Sequence, residues 1–110
     1  MNLDNFIDFN ENKEKITEKI KSTNGLVVVD FMSPTCSDCR RLAAGLPSVV
    51  KAHPDVLFLA VDVSKVETAR DDWDIQHIPD VRFYKGSAEH IATIVEGLAN
   101  QVEEKIRELK

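Results

Sequence analysis

An apolar run broken by one acid, and followed at once by two close cysteines, constrains this chain more than any other stretch. Val27-Val28-Val29-Asp30-Phe31-Met32 reads as a strand, Ser33-Pro34-Thr35 as a short turn, and Cys36-Ser37-Asp38-Cys39-Arg40-Arg41 as the opening of a helix. The strand is apolar at consecutive positions, so both of its faces need covering, as in a central strand with helices on either side of the sheet. Cys36 and Cys39 are the only cysteines present. At this spacing on a first helical turn, two thiols can close a Cys36–Cys39 disulfide and pass two electrons to or from another protein's disulfide. Near a βαβ pattern, Cys-x-x-Cys reads as a redox motif. A zinc site is the competing reading, but it wants four ligands, commonly from two such pairs. No second pair exists, and His53, His77 and His90 are scattered, so no metal is expected. Two inert cysteines would leave the flanking strand and helix signals unexplained.

The chain has 110 residues, enough for one domain and one core, so residues 1–110 are read as a single domain. A net charge of −5 argues against nucleic acid or an anionic membrane as partner. Met1-Asn2-Leu3-Asp4 has no basic and apolar leader pattern, and the longest apolar run, Val56 to Val61, is too short to span a bilayer. Two cysteines do not make a secreted disulfide framework. The expectation is a cytoplasmic protein.

Leu3, Phe6, Ile7 and Phe9 suggest a short edge strand. Asn10 is a candidate cap for a helix from Glu11 to about Ser22, with Ile16 and Ile20 on one face and Gly25 available for a left-handed turn beyond it. Asp30 interrupts the next strand. It is either a buried carboxyl that holds a proton or the wet end of the strand. The helix from Cys36 to about Ala52 carries Leu42, Leu46, Val49 and Val50 as its buried stripe, with a kink expected at Pro47. His53 is expected on the surface in its last turn. Val56 to Val61 reads as a second buried strand, and Ser64-x-x-Glu67 as a capping box for a helix through Trp73. Val81 to Tyr84 and Ile91 to Val95 form a hairpin around Lys85-Gly86-Ser87. Asn100-x-x-Glu103 caps a last helix with Val102, Ile106 and Leu109 inward. The order β-α-β-α-β-α-β-β-α implies one α/β domain, a central mixed β-sheet flanked by helices.

Four landmarks stand in register on that pattern. Val-Asp-Phe places Asp30 six residues before Cys36, Cys36-Ser37-Asp38-Cys39 follows, Ile78-Pro79 precedes the hairpin, and Gly97 follows the last strand. With these the chain resembles the thioredoxin family over essentially its whole length. The resemblance implies the thioredoxin fold, with Cys36 as the nucleophile that attacks a substrate disulfide and Cys39 as the resolving thiol. Asp30 would lie beneath Cys39 and help move its proton. Ile78 and a cis Pro79, with Thr35 and Gly97, would border the substrate groove.

The chain also departs from the family. Thr35 and Met32 stand where the family has tryptophans, and Ser37-Asp38 replaces Gly-Pro between the cysteines. Ala44 takes the place of the helix-kinking proline, Ala60 that of a lysine often opposite the buried acid, and Asp80 that of a threonine after the cis-proline. Asp38 is read as a tuning residue, because a first-turn carboxylate occupies part of the helix N-terminal field that would otherwise favour a thiolate. The implied activity is that of a protein disulfide oxidoreductase working mainly as a monomeric reductant. Its substrates would be protein disulfides, its electron donor a thioredoxin reductase, and it would need no cofactor beyond its own dithiol. The alternative from another class is a thioredoxin-fold binding or adaptor module with a vestigial dithiol.

Overall fold

The computed structural model describes residues 3–110; Met1 and Asn2, part of the stretch read for a leader, lie outside the described residues. Nine elements follow in the expected order. They are β1 (Phe6–Asp8), α1 (Lys13–Lys21), β2 (Leu26–Met32), α2 (Ser37–Ala52), β3 (Leu57–Asp62), α3 (Ala69–Asp72), β4 (Asp80–Lys85), β5 (Ala92–Val95) and α4 (Ala99–Leu109). The strands form one five-stranded sheet in the order β1-β3-β2-β4-β5. β3 pairs parallel with both β1 and β2, while β4 pairs antiparallel with β2 and β5, so the sheet is mixed and β2 is central.

Alternation along β2 divides the core. Successive side chains of a strand point to opposite faces. Val27, Val29 and Phe31 join Ile16 and Ile20 of α1, Leu59, Val61, Trp73 and Tyr84 on one face. Leu26 and Val28 join Leu42, Leu46, Val49 and Val50 of α2 and Val102 and Ile106 of α4 on the other. Burying a side chain such as Phe31 contributes roughly 1.5–3 kcal/mol. Asp30 falls on the α2 face, at the end of this apolar row. The two helices of that face approach so closely that a Cβ built on Gly45 would lie 2.7 Å from the Cβ of Ala99.

Several local expectations are corrected. α1 is capped by Asn12, whose side chain accepts the Lys15 N–H, not by Asn10. Asn10 instead accepts the Asp62 N–H at 2.7 Å, and Phe9 still bonds across to Ala60, so the chain is extended there. Gly25 does adopt a left-handed φ of 88°, in the turn into β2. β3 starts at Leu57 and includes Asp62. The Ser64 capping box does not form. Both the N–H and the hydroxyl of Ser64 reach back to Asp62 Oδ1, at 2.9 and 2.6 Å, which leaves a turn and only a four-residue α3. α4 is capped at Leu98, whose N–H donates to Gln101 Oε1 at 2.7 Å, while Asn100 lies inside the helix. Ile91 precedes β5 rather than opening it. Pro47 does lie inside α2, and the helix continues past it to Ala52.

His53 is the largest departure. It is buried, 7% exposed, at the C-terminal cap of α2. Lys110 Nζ lies 2.9 Å from its Nδ1 and Glu103 Oε2 lies 2.8 Å from its Nε2. An ammonium can only donate, so Nδ1 accepts and Nε2–H donates to Glu103. The expected surface residue is a polar rivet between α2 and α4.

Candidate active site

The site is built where the central strand hands the chain to α2. Cys36 is the N-cap residue of that helix, half-buried and in an extended conformation, with φ −86° and ψ 121°. Its carbonyl accepts the Arg40 N–H at 3.0 Å, the first turn of the helix. Its sulfur takes the capping role usually played by a side-chain oxygen, accepting the Cys39 N–H at 3.2 Å. The helix dipole places partial positive charge at the same end. Any negative charge on that sulfur therefore meets donors already aimed at it.

Cys39 sits one turn in, 3% exposed, and both cysteines are free thiols. Burial pushes the Cys39 thiol up to about 12, helped by its hydrogen bond with Cys36 and by the charges of Cys36 and Asp30; the Ser33 backbone pulls the other way. The arrangement thus holds one sulfur on a half-buried residue and one sealed sulfur that keeps its proton.

Asp30 is buried, 8% exposed, and its Oδ1 has no hydrogen-bond partner. Its register partners are Ala60 on β3 and Val81 on β4, neither of which offers a charge. Burial first, and then the Asp80 carboxylate, push it up from 3.8 to about 7. The wet strand end is excluded. Asp30 is a buried acid that gives or takes a proton near neutrality, and its charge bears on Cys39.

The second lip comes from the segment before β4. The Ile78–Pro79 peptide is cis, as expected. The Cys36 thiol points at the Ile78 carbonyl across 3.7 Å, which joins the two lips at the nucleophile. Pro79 O accepts the Glu96 N–H at 2.8 Å, bringing the end of β5 and Gly97 alongside. A Cβ on Gly97 would collide with the Ile94 side chain and come 2.9 Å from Gln101 Oε1, so any larger residue there must displace those side chains. Thr35 is exposed in the turn before Cys36, with its hydroxyl 3.1 Å from that of buried Ser33. Asp38, half-buried, lies in the first turn of α2 and pairs with exposed Arg41 at 3.3 Å. Among the described residues, no third His, Cys, Asp or Glu joins the cysteines in a group able to hold a metal ion.

Sequence reasoning missed two polar features. Ser33 anchors the turn through its hydroxyl and by accepting the Cys36 N–H on its carbonyl at 3.2 Å. Asp80 and Arg82 form an almost fully buried ion pair directly after the cis bond. The signal for the second was present, since Asp-x-Arg on a strand puts both side chains on one face.

Comparison with known proteins agrees with this geometry. The thioredoxin family model matches residues 8–108. Thioredoxin domain-containing protein 2 of Rattus norvegicus is 35% identical over 101 residues, covering 91% of this chain and 18% of that protein. An H-type thioredoxin of Ricinus communis is 38% identical over 68 residues, 62% of this chain and 58% of the relative. The chain thus spans less than two thirds of the length of either of these relatives. The solved thioredoxin of Trichomonas vaginalis superposes with a TM-score of 0.88 at 34% identity, over 97% of this chain and 99% of that one. With its mixed sheet, its Cys-x-x-Cys helix cap and a family match along nearly all of its length, this chain belongs to the thioredoxin family.

Proposed function

We propose that the chain is a protein thiol–disulfide oxidoreductase that works mainly as a reductant. One observation carries the reading: the sulfur of half-buried Cys36 at a helix N-cap, held by the N–H of a sealed Cys39, beside a cis-proline lip. In the first step the Cys36 thiolate attacks one sulfur of a substrate disulfide. A Cys36–substrate disulfide forms and the other substrate sulfur leaves as a thiolate. Cys39 then gives its proton to ionised Asp30 and attacks the Cys36 sulfur. The Cys36–Cys39 disulfide forms, the second substrate sulfur leaves, and two electrons have passed from the dithiol to the substrate. Asp30 suits the middle step because it changes charge near neutrality.

In this reading the exchange needs the two thiols and Asp30, and no cofactor beyond the dithiol. Ile78, Pro79, Thr35 and Gly97 would likewise border the space next to Cys36 that an extended substrate segment occupies. Asp38 remains a tuning residue in this reading, its effect moderated by Arg41. A thioredoxin reductase or similar donor in the cytoplasm would return the dithiol form, and the chain would act as a monomer. No helix among the described residues is long and apolar enough to cross a membrane.

The test is reduction of insulin with dithiothreitol as electron source. The parent protein should accelerate precipitation of the insulin B chain, Cys36→Ser should abolish the effect, and Cys39→Ser should accumulate a covalent mixed disulfide. A parent protein no faster than dithiothreitol alone would defeat the reading.

A further inference from the structure

Resting on the proposed role of Asp30, we propose that Asp80 and Arg82 act together as a positioning pair that sets how firmly Asp30 holds its proton, and hence the pH at which Cys39 can resolve a mixed disulfide. The β4 register puts Val81 directly opposite Asp30, so Asp80 and Arg82 flank the position facing it. Their side chains lie on the other face of the sheet. There the Asp80 carboxylate receives Arg82 Nε at 3.2 Å and Nη2 at 3.3 Å, and the Thr93 hydroxyl at 3.2 Å. Arg82 also donates to the Trp73 carbonyl at 2.6 Å and sits over the Phe31 ring, 5.5 Å from its centroid. Their side chains are only 7% and 12% exposed, so solvent screens this pair poorly.

Among the described residues facing Asp30, β3 offers Ala60 and, two residues on and on the same side of the sheet, buried Asp62, whose Oδ1 is held by the Ser64 N–H and hydroxyl; α2 offers Cys39 and through it Cys36, and α4 turns the apolar Val102 and Ile106 to this side. The pair bears on Asp30 through its acidic pole, because the Asp80 carboxylate is the second cause, after burial, of the tighter proton binding at Asp30. Arg82 holds that carboxylate in place and masks part of its charge. A buried pair behind the strand thus governs an acid in front of it, and the cis-proline segment, one residue away, is anchored by the same contact.

The experiment follows the Asp30 carboxyl carbon by NMR through a pH titration of the full reduced chain. It compares the parent, Asp80→Asn, and the double variant Asp80→Asn with Arg82→Met. The parent should titrate highest. The double variant should titrate lower, having lost the acidic pole, and Asp80→Asn lowest, by about 0.5–1 pH unit from the parent, because Arg82 is then unmasked. The pH profile of mixed-disulfide resolution should shift in the same order. Asp80→Asn leaves a buried cation unpaired, and if it does not fold, the double variant must still titrate below the parent. A double variant at or above the parent, or a different order among folded variants, overturns the proposal. The carboxyl titration needs no turnover, so failure of the pair's role is distinguishable from failure of the oxidoreductase reading, which the insulin assay decides.

Discussion

Asp30 and Ala60 face each other across the β2–β3 ladder, an unpartnered carboxyl opposite a methyl group. The acid therefore has no cross-strand cation to stabilise its charged form, and its proton affinity follows first from burial and then from the Asp80 carboxylate. Because its value in the folded chain is raised, from 3.8 to about 7, the cost of burying it is absent below about pH 4, grows as the unfolded chain ionises, and is complete above about pH 7. Asp30→Asn should therefore be the more stable protein at pH 8, by up to roughly 4 kcal/mol at 1.36 kcal/mol per unit. The gain should vanish near pH 4. Urea unfolding at the two pH values measures it, and a gain independent of pH would contradict the assignment. The same variant should resolve mixed disulfides more slowly while forming them at the parent rate.

The two thiols should separate cleanly by reactivity. Cys39 is sealed and its proton is held to about 12. Near pH 7, iodoacetamide should modify Cys39→Ser, which keeps Cys36, at least about tenfold faster than Cys36→Ser, which keeps only Cys39. Equal rates would show that Cys39 is accessible. Air-oxidised parent protein should carry no alkylatable thiol by mass spectrometry.

The contact of Gly45 with Ala99 gives a stability prediction unconnected with the chemistry. Both atoms that would meet are Cβ atoms bound directly to helix backbone, so neither can swing away. Gly45→Ala should destabilise the fold by about 1–3 kcal/mol through overpacking. Adding Ala99→Gly should recover most of that loss. Denaturation midpoints of the parent, the single and the double variant test the pair, and an uncompensated double variant would locate the strain elsewhere.

Trp73 reports from the other face of the sheet. Its ring packs on Phe31, 5.2 Å between centroids, under the Lys13 ammonium at 5.1 Å. Reducing the disulfide should change its emission only slightly. A several-fold change in intensity on adding dithiothreitol would mean that the indole senses the dithiol directly.

What could be read from residues alone followed the range of the forces involved. The strand and helix order, the apolar stripes at Ile16 and Ile20 and at Leu42 to Val50, and the pairing of Cys36 with Cys39 are set by periodicity and spacing within a few residues. The cis bond at Pro79 and the groove position of Gly97 came from family resemblance; no local pattern announces them. The failures share a cause, a polar side chain with two possible partners. Asn10 and Ser64 both resemble helix caps, yet each is drawn to Asp62 by the end of β3. His53 looks like a surface residue until α4 delivers Glu103 and Lys110 to it. Whether Asp30 was wet or buried was equally undecidable before the sheet placed Ala60 and Val81 beside it.

The His53 rivet has a mechanical consequence for exchange. α2 has 16 residues, about 24 Å of rod at 1.5 Å per residue, with the nucleophile at its head and His53 fastened at its tail. A rod clamped at one end cannot slide along its own axis, and a rung is missing only at Pro47. Closing and opening the Cys36–Cys39 bond must then be absorbed by the four residues from Ser33 to Cys36. Outside that short hinge, the oxidised and reduced forms should then present the same outline, leaving the sulfur itself as the feature that distinguishes them.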